Sequence, residues 1–165
     1  MDKHAFIQNK IFDDHSLEKR VALWRFFGKK IVFTNGCFDL LHYGHIDYLS
    51  KAASLGDVLV VGLNTDASVS RIKGPSRPIN NEQSRMQVMA SLFFVSGVIL
   101  FDEPTPINLI TKIQPDVLVK GGDYKIEQIV GHEIVKANGG EVVVLDFVPG
   151  YSTTALEKKI KDNIC

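Results

Sequence analysis

The sequence predicts an α/β fold: an open, mostly parallel, doubly wound five-stranded sheet with helices on both faces. Three observations predict it. Short β-rich runs begin at about residues 31, 58, 97, 116 and 141. A helical stripe or a capped segment lies between each successive pair. Gly- and Pro-bearing turns punctuate the alternation, as βαβ units require.

The elements follow in order. Asp13-Asp14-His15-Ser16 offers N-cap residues, Leu17, Val21 and Trp24 follow at helical spacing, and Gly28 ends that helix, which spans about 14–28. Ile31-Val32-Phe33-Thr34 is a strand bounded by Asn35-Gly36. Ile46, Leu49, Ala52 and Ala53 make a helical stripe ended by Gly56, and Val58-Leu59-Val60-Val61 reads as a strand buried on both faces. A short helix is expected over 65–72 and a Gly- and Pro-bearing loop over 73–80. Asn80 is the expected cap of a helix through Met86, Met89, Leu92 and Phe93. Trp24 and the Phe93-Phe94 pair read as packing residues. A strand over 97–101 precedes a helix capped by Thr105 with Pro106 at its first position. A strand over 116–120 stops at Gly121-Gly122, and a helical stripe through Ile126, Ile129, Val130 and Ile134 stops at Gly139-Gly140. The last strand covers 141–147, and Ser152 or Thr153 caps a final helix through Leu156 and Ile160.

Composition bounds the function. A chain of 165 residues buries roughly 70% of its unfolded surface and builds a core without disulfides or metals. Lys plus Arg and Asp plus Glu both number 19, and apolar residues make up 45%. This balance argues against disorder and against a broad nucleic-acid footprint, so an anion site must be built locally. Cys37 and Cys165 form no disulfide scaffold, which fits a reducing compartment. The N-terminus lacks an apolar signal region, and no run approaches the roughly 20 apolar residues of a membrane helix. The expectation is one soluble cytoplasmic domain over residues 1–165, with its core at about 31–161, no nucleic-acid partner and no membrane partner.

In such sheets ligands bind beyond the carboxyl ends of the strands, so chemistry is sought there. After the first predicted strand come His42 and His45, three apart at a helix start, with Gly44 between them. The helix N-terminus presents unpaired N–H groups, and Gly44 lets a phosphate near the backbone. Two imidazole donors and backbone donors suit a polyphosphate whose charge moves during reaction. A zinc-type reading of His42, His45, Cys37 and Asp39 ranks below this, because phosphate-binding features recur in other loops. Residues 71–85 hold Arg71, Lys73, Arg77 and Arg85 against Glu82, a net +3. Lys73 and the three arginines are expected at a phosphate, although such a cluster also suits a solvated face. Lys120-Gly121-Gly122-Asp123-Tyr124 fits approach by a flat base, with Asp123 able to accept from a sugar hydroxyl. Ser152, Thr153 and Thr154 offer a second phosphate cradle. His4, His15 and His132 have no partner at motif spacing and read as surface residues.

Gly36-Cys37-Phe38-Asp39-Leu40-Leu41-His42-Tyr43-Gly44-His45, with Tyr151-Ser152-Thr153-Thr154, resembles the HxGH signature of the cytidylyltransferase-like nucleotidyltransferases, which have a Rossmann-like fold. Thr34 to Asp39, Lys73-Gly74 with Arg77-Pro78, Leu118 to Tyr124 and Asn138 to Val142 resemble, more narrowly, the adenylyltransferase half of bifunctional ADP-heptose synthases. The similarity spans about residues 16–161. It implies transfer of AMP from ATP to D-glycero-β-D-manno-heptose 1-phosphate, with His42, His45 and Lys73 catalytic. Thr34, Asn35, Gly36, Cys37, Phe38, Gly44, the Lys120–Tyr124 segment and Ser152 to Thr154 would bind nucleotide. Asp39, Arg71, Arg77 and Arg85 would serve the acceptor, or in the case of Asp39 the metal. Mg²⁺ would be held mainly by the phosphates, and no side-chain metal ligand is assigned. The kinase half has no counterpart in the chain, so a separate heptose kinase is expected, and a homodimer is one candidate assembly.

Two rivals stand beside this reading. One is a CTP-dependent enzyme acting on glycerol 3-phosphate or another polyol phosphate. That branch carries an arginine just before its last phosphate motif, where this chain reads Asp146-Phe147-Val148-Pro149. The other is a nucleotide-binding module without turnover, which the intact His42, His45, Lys73 and Thr153 set disfavours.

Overall fold

The structure, a computed structural model, describes residues 2–162. Cys165, expected to be free of any disulfide, lies outside them. Among the described residues six strands form one sheet: β1 (Ile11–Phe12), β2 (Ile31–Gly36), β3 (Val58–Asn64), β4 (Gly97–Phe101), β5 (Val117–Gly121) and β6 (Glu141–Leu145). All pair in parallel, in the order β1-β4-β3-β2-β5-β6. The helices are α1 (Lys3–Gln8), α2 (Asp14–Phe26), α3 (Tyr43–Ala53), α4 (Asp66–Lys73), α5 (Glu82–Ser91), α6 (Ile107–Ile113), α7 (His132–Ala137) and α8 (Thr153–Asp162), with a 3₁₀ turn at Ile126–Gln128.

The sixth strand is the main departure from the predicted five. Ile11 and Phe12 pair with Val98 and Ile99. Two residues are too short to show a period, so only the tertiary pairing with β4 defines this edge.

Alternation along the central strands builds two cores. Ile31 and Phe33 of β2 and Val60 of β3 face α2 and α6 through Leu17, Val21 and Ile110. Val32 of β2, with Leu59 and Val61 of β3, faces α3 and α5 through Leu49, Ala52 and Met89. Each fully buried Val, Leu, Ile, Phe or Met side chain among them contributes about 1.5–3 kcal/mol relative to exposure.

Local chemistry sets most helix ends. Asp13 accepts from the Ser16 N–H, and the Ser16 side chain returns to the Asp13 N–H, a closed capping box. Asn81 rather than Asn80 caps α5, accepting from Ser84 N at 2.8 Å. Pro106 occupies the cap of α6 rather than its first turn. The stripe from Ile126 to Ile134 is no single helix. Gly131 breaks it at φ +85°, and a Cβ there would lie 2.6 Å from Ile110. Phe93 lies past the end of α5 and is 90% exposed, so it is no core residue. Trp24 does pack, edge-on to Phe12.

β2 lies between β3 and β5. The chain runs from β2 toward β3 and β4, then returns across to β5 and β6. This reversal of winding opens a crevice at the carboxyl ends of β2 and β5, where ligands bind in such sheets.

Candidate active site

A cavity of about 540 Å³ occupies that crevice. Asn35 to Asp39 come to it from the end of β2, Asn64 from β3, Phe101 from β4 and Leu118, Lys120 and Gly121 from β5. His45 of α3, Lys73 of α4 and Thr153 of α8 line it as well. Three segments distant in sequence thus bring their expected phosphate ligands to one cavity.

The turn after β2 aims the histidines. Phe38 adopts φ +43° and is buried, with its ring folded toward Gly36, where a Cβ would lie 2.9 Å from it. His45 meets the Phe38 ring edge-on at 5.2 Å. His42 is the N-cap residue of α3 but makes no side-chain cap bond, so capping does not account for it. Its ring stacks on His45 with centroids 3.8 Å apart. The Nδ1 atoms of both rings are buried without a hydrogen-bond partner, a costly state for polar groups.

Burial pulls the His42 pKa down. Burial, then the neighbouring His42 and Lys73, pull His45 from 6.5 to about 4, against the backbone of Leu40. Both rings are therefore neutral near pH 7, and each carries one N–H donor. Unfolded His45 takes up a proton near pH 6.5 that the folded ring refuses until about pH 4. Folding stability should fall as pH drops through that window. Thermal melts of wild type and His45→Asn should show a shallower loss in the variant.

The loop between α4 and α5 is anchored by buried charge. Asp39 accepts from Ile79 N at 2.9 Å, Asn80 N at 2.8 Å and Arg77 Nε at 2.8 Å. Burial alone would raise its pKa, but the Asn80 and Ile79 amides and the Arg77 guanidinium outweigh it and hold the carboxyl below its usual value. The Asp39 side chain has 0% exposure. The expected contact of Asp39 with acceptor or metal therefore gives way to a positional role, because both oxygens are already used. Arg77 also pairs with Glu157 of α8 and does not line the cavity.

Arg85 departs further from the expectation of a phosphate ligand. Its side chain is 0% exposed and pairs with Asp66 at 2.7 Å. It also donates to the carbonyls of Cys37 at 2.8 Å and Asn80 at 3.0 Å. Arg85→Met should cost about 3 kcal/mol in chemical denaturation, since removing one partner of a buried pair strands the others. Arg71 pairs with Asp102 at 3.0 Å on the surface and lies outside the cavity. Of the four cations, Lys73 alone lines the cavity, and it has no ion-pair partner among the described residues.

The other expected nucleotide ligands divide similarly. Asn35, Gly36, Cys37, Phe38, Lys120, Gly121, Tyr124 and Thr153 line the cavity. Lys120 Nζ lies 3.5 Å from Asn35 Oδ1, and burial lowers its pKa. Thr34 is fully buried and pairs with Tyr48 Oη at 2.6 Å, so it supports the floor from beneath. Gly44 is a packing glycine, because a Cβ there would meet Tyr151 at 3.1 Å and the His42 ring at 3.2 Å. Ser152 accepts from Ala155 N at 3.1 Å and caps α8. Gly122, Asp123 and Thr154 lie outside the lining. Among the described residues, no group of three or more His, Cys, Asp or Glu side chains could hold a metal ion.

Pattern in the sequence carried no signal for Tyr48, Thr105, Gln128 or Phe147, which line the cavity together with Asn64 and Phe101. A lining position at a strand end was the available clue for Asn64 and Phe101.

Comparison with known proteins agrees with this geometry. A family model described as cytidylyltransferase-like matches residues 33–159. The bifunctional protein HldE of Campylobacter concisus is 61% identical over 134 residues, covering 81% of this chain and 28% of that protein. HldE of Rhodopseudomonas palustris strain HaA2 is 55% identical over 152 residues, covering 92% of this chain and 31% of that protein. The chain thus spans about a third of the length of these relatives. A lipopolysaccharide core biosynthesis protein from Thermoplasma volcanium GSS1, of known crystal structure, superposes with TM-score 0.59 at 31% identity, over 73% of this chain and 98% of that one. With its sheet order, its stacked histidines at the head of α3 and a family match over most of its length, the chain belongs to the cytidylyltransferase-like family.

Proposed function

We propose that the chain is one nucleotidyltransferase unit that moves AMP from ATP to D-glycero-β-D-manno-heptose 1-phosphate. A phosphate oxygen of the sugar attacks the α-phosphorus of ATP in line. The bond from the α-phosphorus to its bridging oxygen breaks, and pyrophosphate leaves with that electron pair. The products are ADP-heptose, a precursor for lipopolysaccharide core or other surface glycans, and pyrophosphate.

The stacked His42–His45 pair carries this reading. His45 lines the cavity, and its Nδ1 is buried without a partner, so Nε2 is the ring nitrogen left to donate to a ligand rich in acceptor oxygens. Neutral imidazoles donate hydrogen bonds as negative charge shifts onto the leaving phosphates, which is where preorganised donors act. Lys73 and Thr153 supply further donors on the same cavity. The identity to HldE proteins supports the heptose acceptor over other sugar phosphates.

The cavity joins His, Lys and Thr donors to a carboxylate already saturated by its own loop. That donor set fits Mg²⁺ carried in by the triphosphate, where it would screen the phosphate charge. A heptose kinase activity would supply the acceptor. A cytoplasmic site of action accords with the described helices, none of which is long and apolar enough to cross a membrane.

Pyrophosphate release from ATP and CTP, each with heptose 1-phosphate and glycerol 3-phosphate, tests the reading. ATP with the heptose should be the productive pair. CTP with glycerol 3-phosphate as the preferred pair would overturn it. Turnover should need added Mg²⁺, and elemental analysis should find no stoichiometric zinc.

A further inference from the structure

Among the described residues of α8, Thr153 alone lines the cavity. Its hydroxyl makes no hydrogen bond among the described residues, so it can donate to a ligand. The helix that carries it is held by little packing. None of its described residues is fully buried. Thr153, Leu156 and Glu157 are half-buried, and every other described residue of α8 is exposed. Positions i, i+3 and i+4 share one face of a helix, so this face is the one turned to the protein. Ile160, which would extend the apolar stripe by a turn, is 47% exposed. Docking of α8 therefore depends on what Glu157 meets.

Glu157 Oε1 is shielded from solvent and pairs with Nη1 of Arg77. Arg77 is itself largely buried, and its Nε donates to Asp39 at 2.8 Å. The Ile79 and Asn80 amides fix Asp39 in turn. One guanidinium thus joins two carboxylates. The first lies on the turn after β2, beside Phe38, whose ring packs on His45. The second lies on α8, one turn beyond Thr153. A planar cation with several N–H donors suits such a bridge. The other attachment of α8 is at its start, where the Tyr151 ring meets Tyr43 of α3 edge-on at 5.0 Å and Ser152 caps the helix. These contacts place one end. A helix held at one end can still pivot and turn about its axis, and the Glu157–Arg77 pair supplies the second point.

We propose that Glu157 is a positioning residue: through Arg77 it ties α8 to the turn after β2 and holds Thr153 toward the bound triphosphate. Glu157 does not line the cavity and touches no substrate. The proposal rests on the reading of the chain as a nucleotidyltransferase in which Thr153 donates to a phosphate. Its effect is to set a donor near the end of the chain in one frame with the histidine turn, more than 100 positions earlier. Misplacement of a donor by about 1 Å through a change away from the chemistry can cost as much as roughly 10²-fold.

The test is a double-mutant cycle on Mg·ATP affinity, measured by calorimetry for wild type, Glu157→Gln, Thr153→Val and the double variant, with melting temperatures to verify folding. Each single variant should weaken Mg·ATP by about fivefold to tenfold, the scale of one hydrogen bond. The double variant should bind no more than about twofold weaker than Thr153→Val alone, because Glu157 acts through that hydroxyl. Unchanged affinity in Glu157→Gln, as a role in stability alone would give, overturns the proposal. So do losses that multiply in the double variant. Trypsin cleavage after Lys158 of α8, run without nucleotide, reads the tether directly. Glu157→Gln should speed it by about fivefold, since a helix is cut when it opens locally. An unchanged cleavage rate overturns the tether. If wild type binds Mg·CTP and not Mg·ATP, the adenylyl reading fails, and the same cycle on Mg·CTP decides the role of Glu157. Absence of binding to either nucleotide overturns both.

Discussion

His45→Ala should lower kcat by about 10²-fold or more, the scale for losing one transition-state donor. The ring lines the cavity beside Lys73, and burial keeps it neutral. A neutral donor contributes little to the ground-state triphosphate. It contributes most as charge shifts onto the departing oxygens. ATP affinity should therefore weaken much less than turnover. Calorimetry with ATP beside steady-state rates separates the two. Near-normal turnover in the variant would remove the phosphate role of the histidine pair. His42 stacks on His45 and helps keep its pKa low. His42→Ala should consequently move the His45 titration upward as well as slow the reaction.

Lys73→Ala should lower kcat more than it raises the dissociation constant for ATP. Lys73 ends α4, directly before Gly74 at φ +97°. Its charge has no ion-pair partner among the described residues, whereas Arg71, Arg77 and Arg85 are each paired. An ammonium on a flexible stem can follow phosphate charge as pyrophosphate departs. Lys73→Arg should recover only part of the rate, because a planar guanidinium cannot occupy the same point. Protection of the 73–80 loop from protease by Mg·ATP gives an independent reading of closure over the phosphates. Asp39 anchors the far end of this loop at Ile79 and Asn80. Movement is thus expected near Gly74 rather than at Asn80. An unchanged rate together with equal protease protection with and without Mg·ATP would leave Lys73 as part of a solvated surface.

Much of this protein was legible in its sequence, because much of it is decided over short distances. Strand and helix periods, the N-cap residues at Asp13 to Ser16, the stop at Gly28 and the placement of His42 and His45 on one helix start are all local. The HxGH pattern could be read for the same reason: its residues share a turn and the first turn of α3. Tertiary structure decided the rest. The two-residue strand β1 exists only through its pairing with β4. The break at Gly131 follows from contact with Ile110. Lys73, Arg77 and Arg85 look alike in sequence. Folding leaves Lys73 on the cavity, sends Arg77 to Asp39, 38 positions away, and buries Arg85 against Asp66 and the Cys37 carbonyl. A charge in a sequence has no partner until distant segments meet. Desolvation then requires that it be paired or left where water and ligand can reach it. The division of the cation cluster into a cavity-facing lysine and structural arginines therefore belonged to the tertiary structure, while the kind of chemistry at the cavity was already written in the residues themselves.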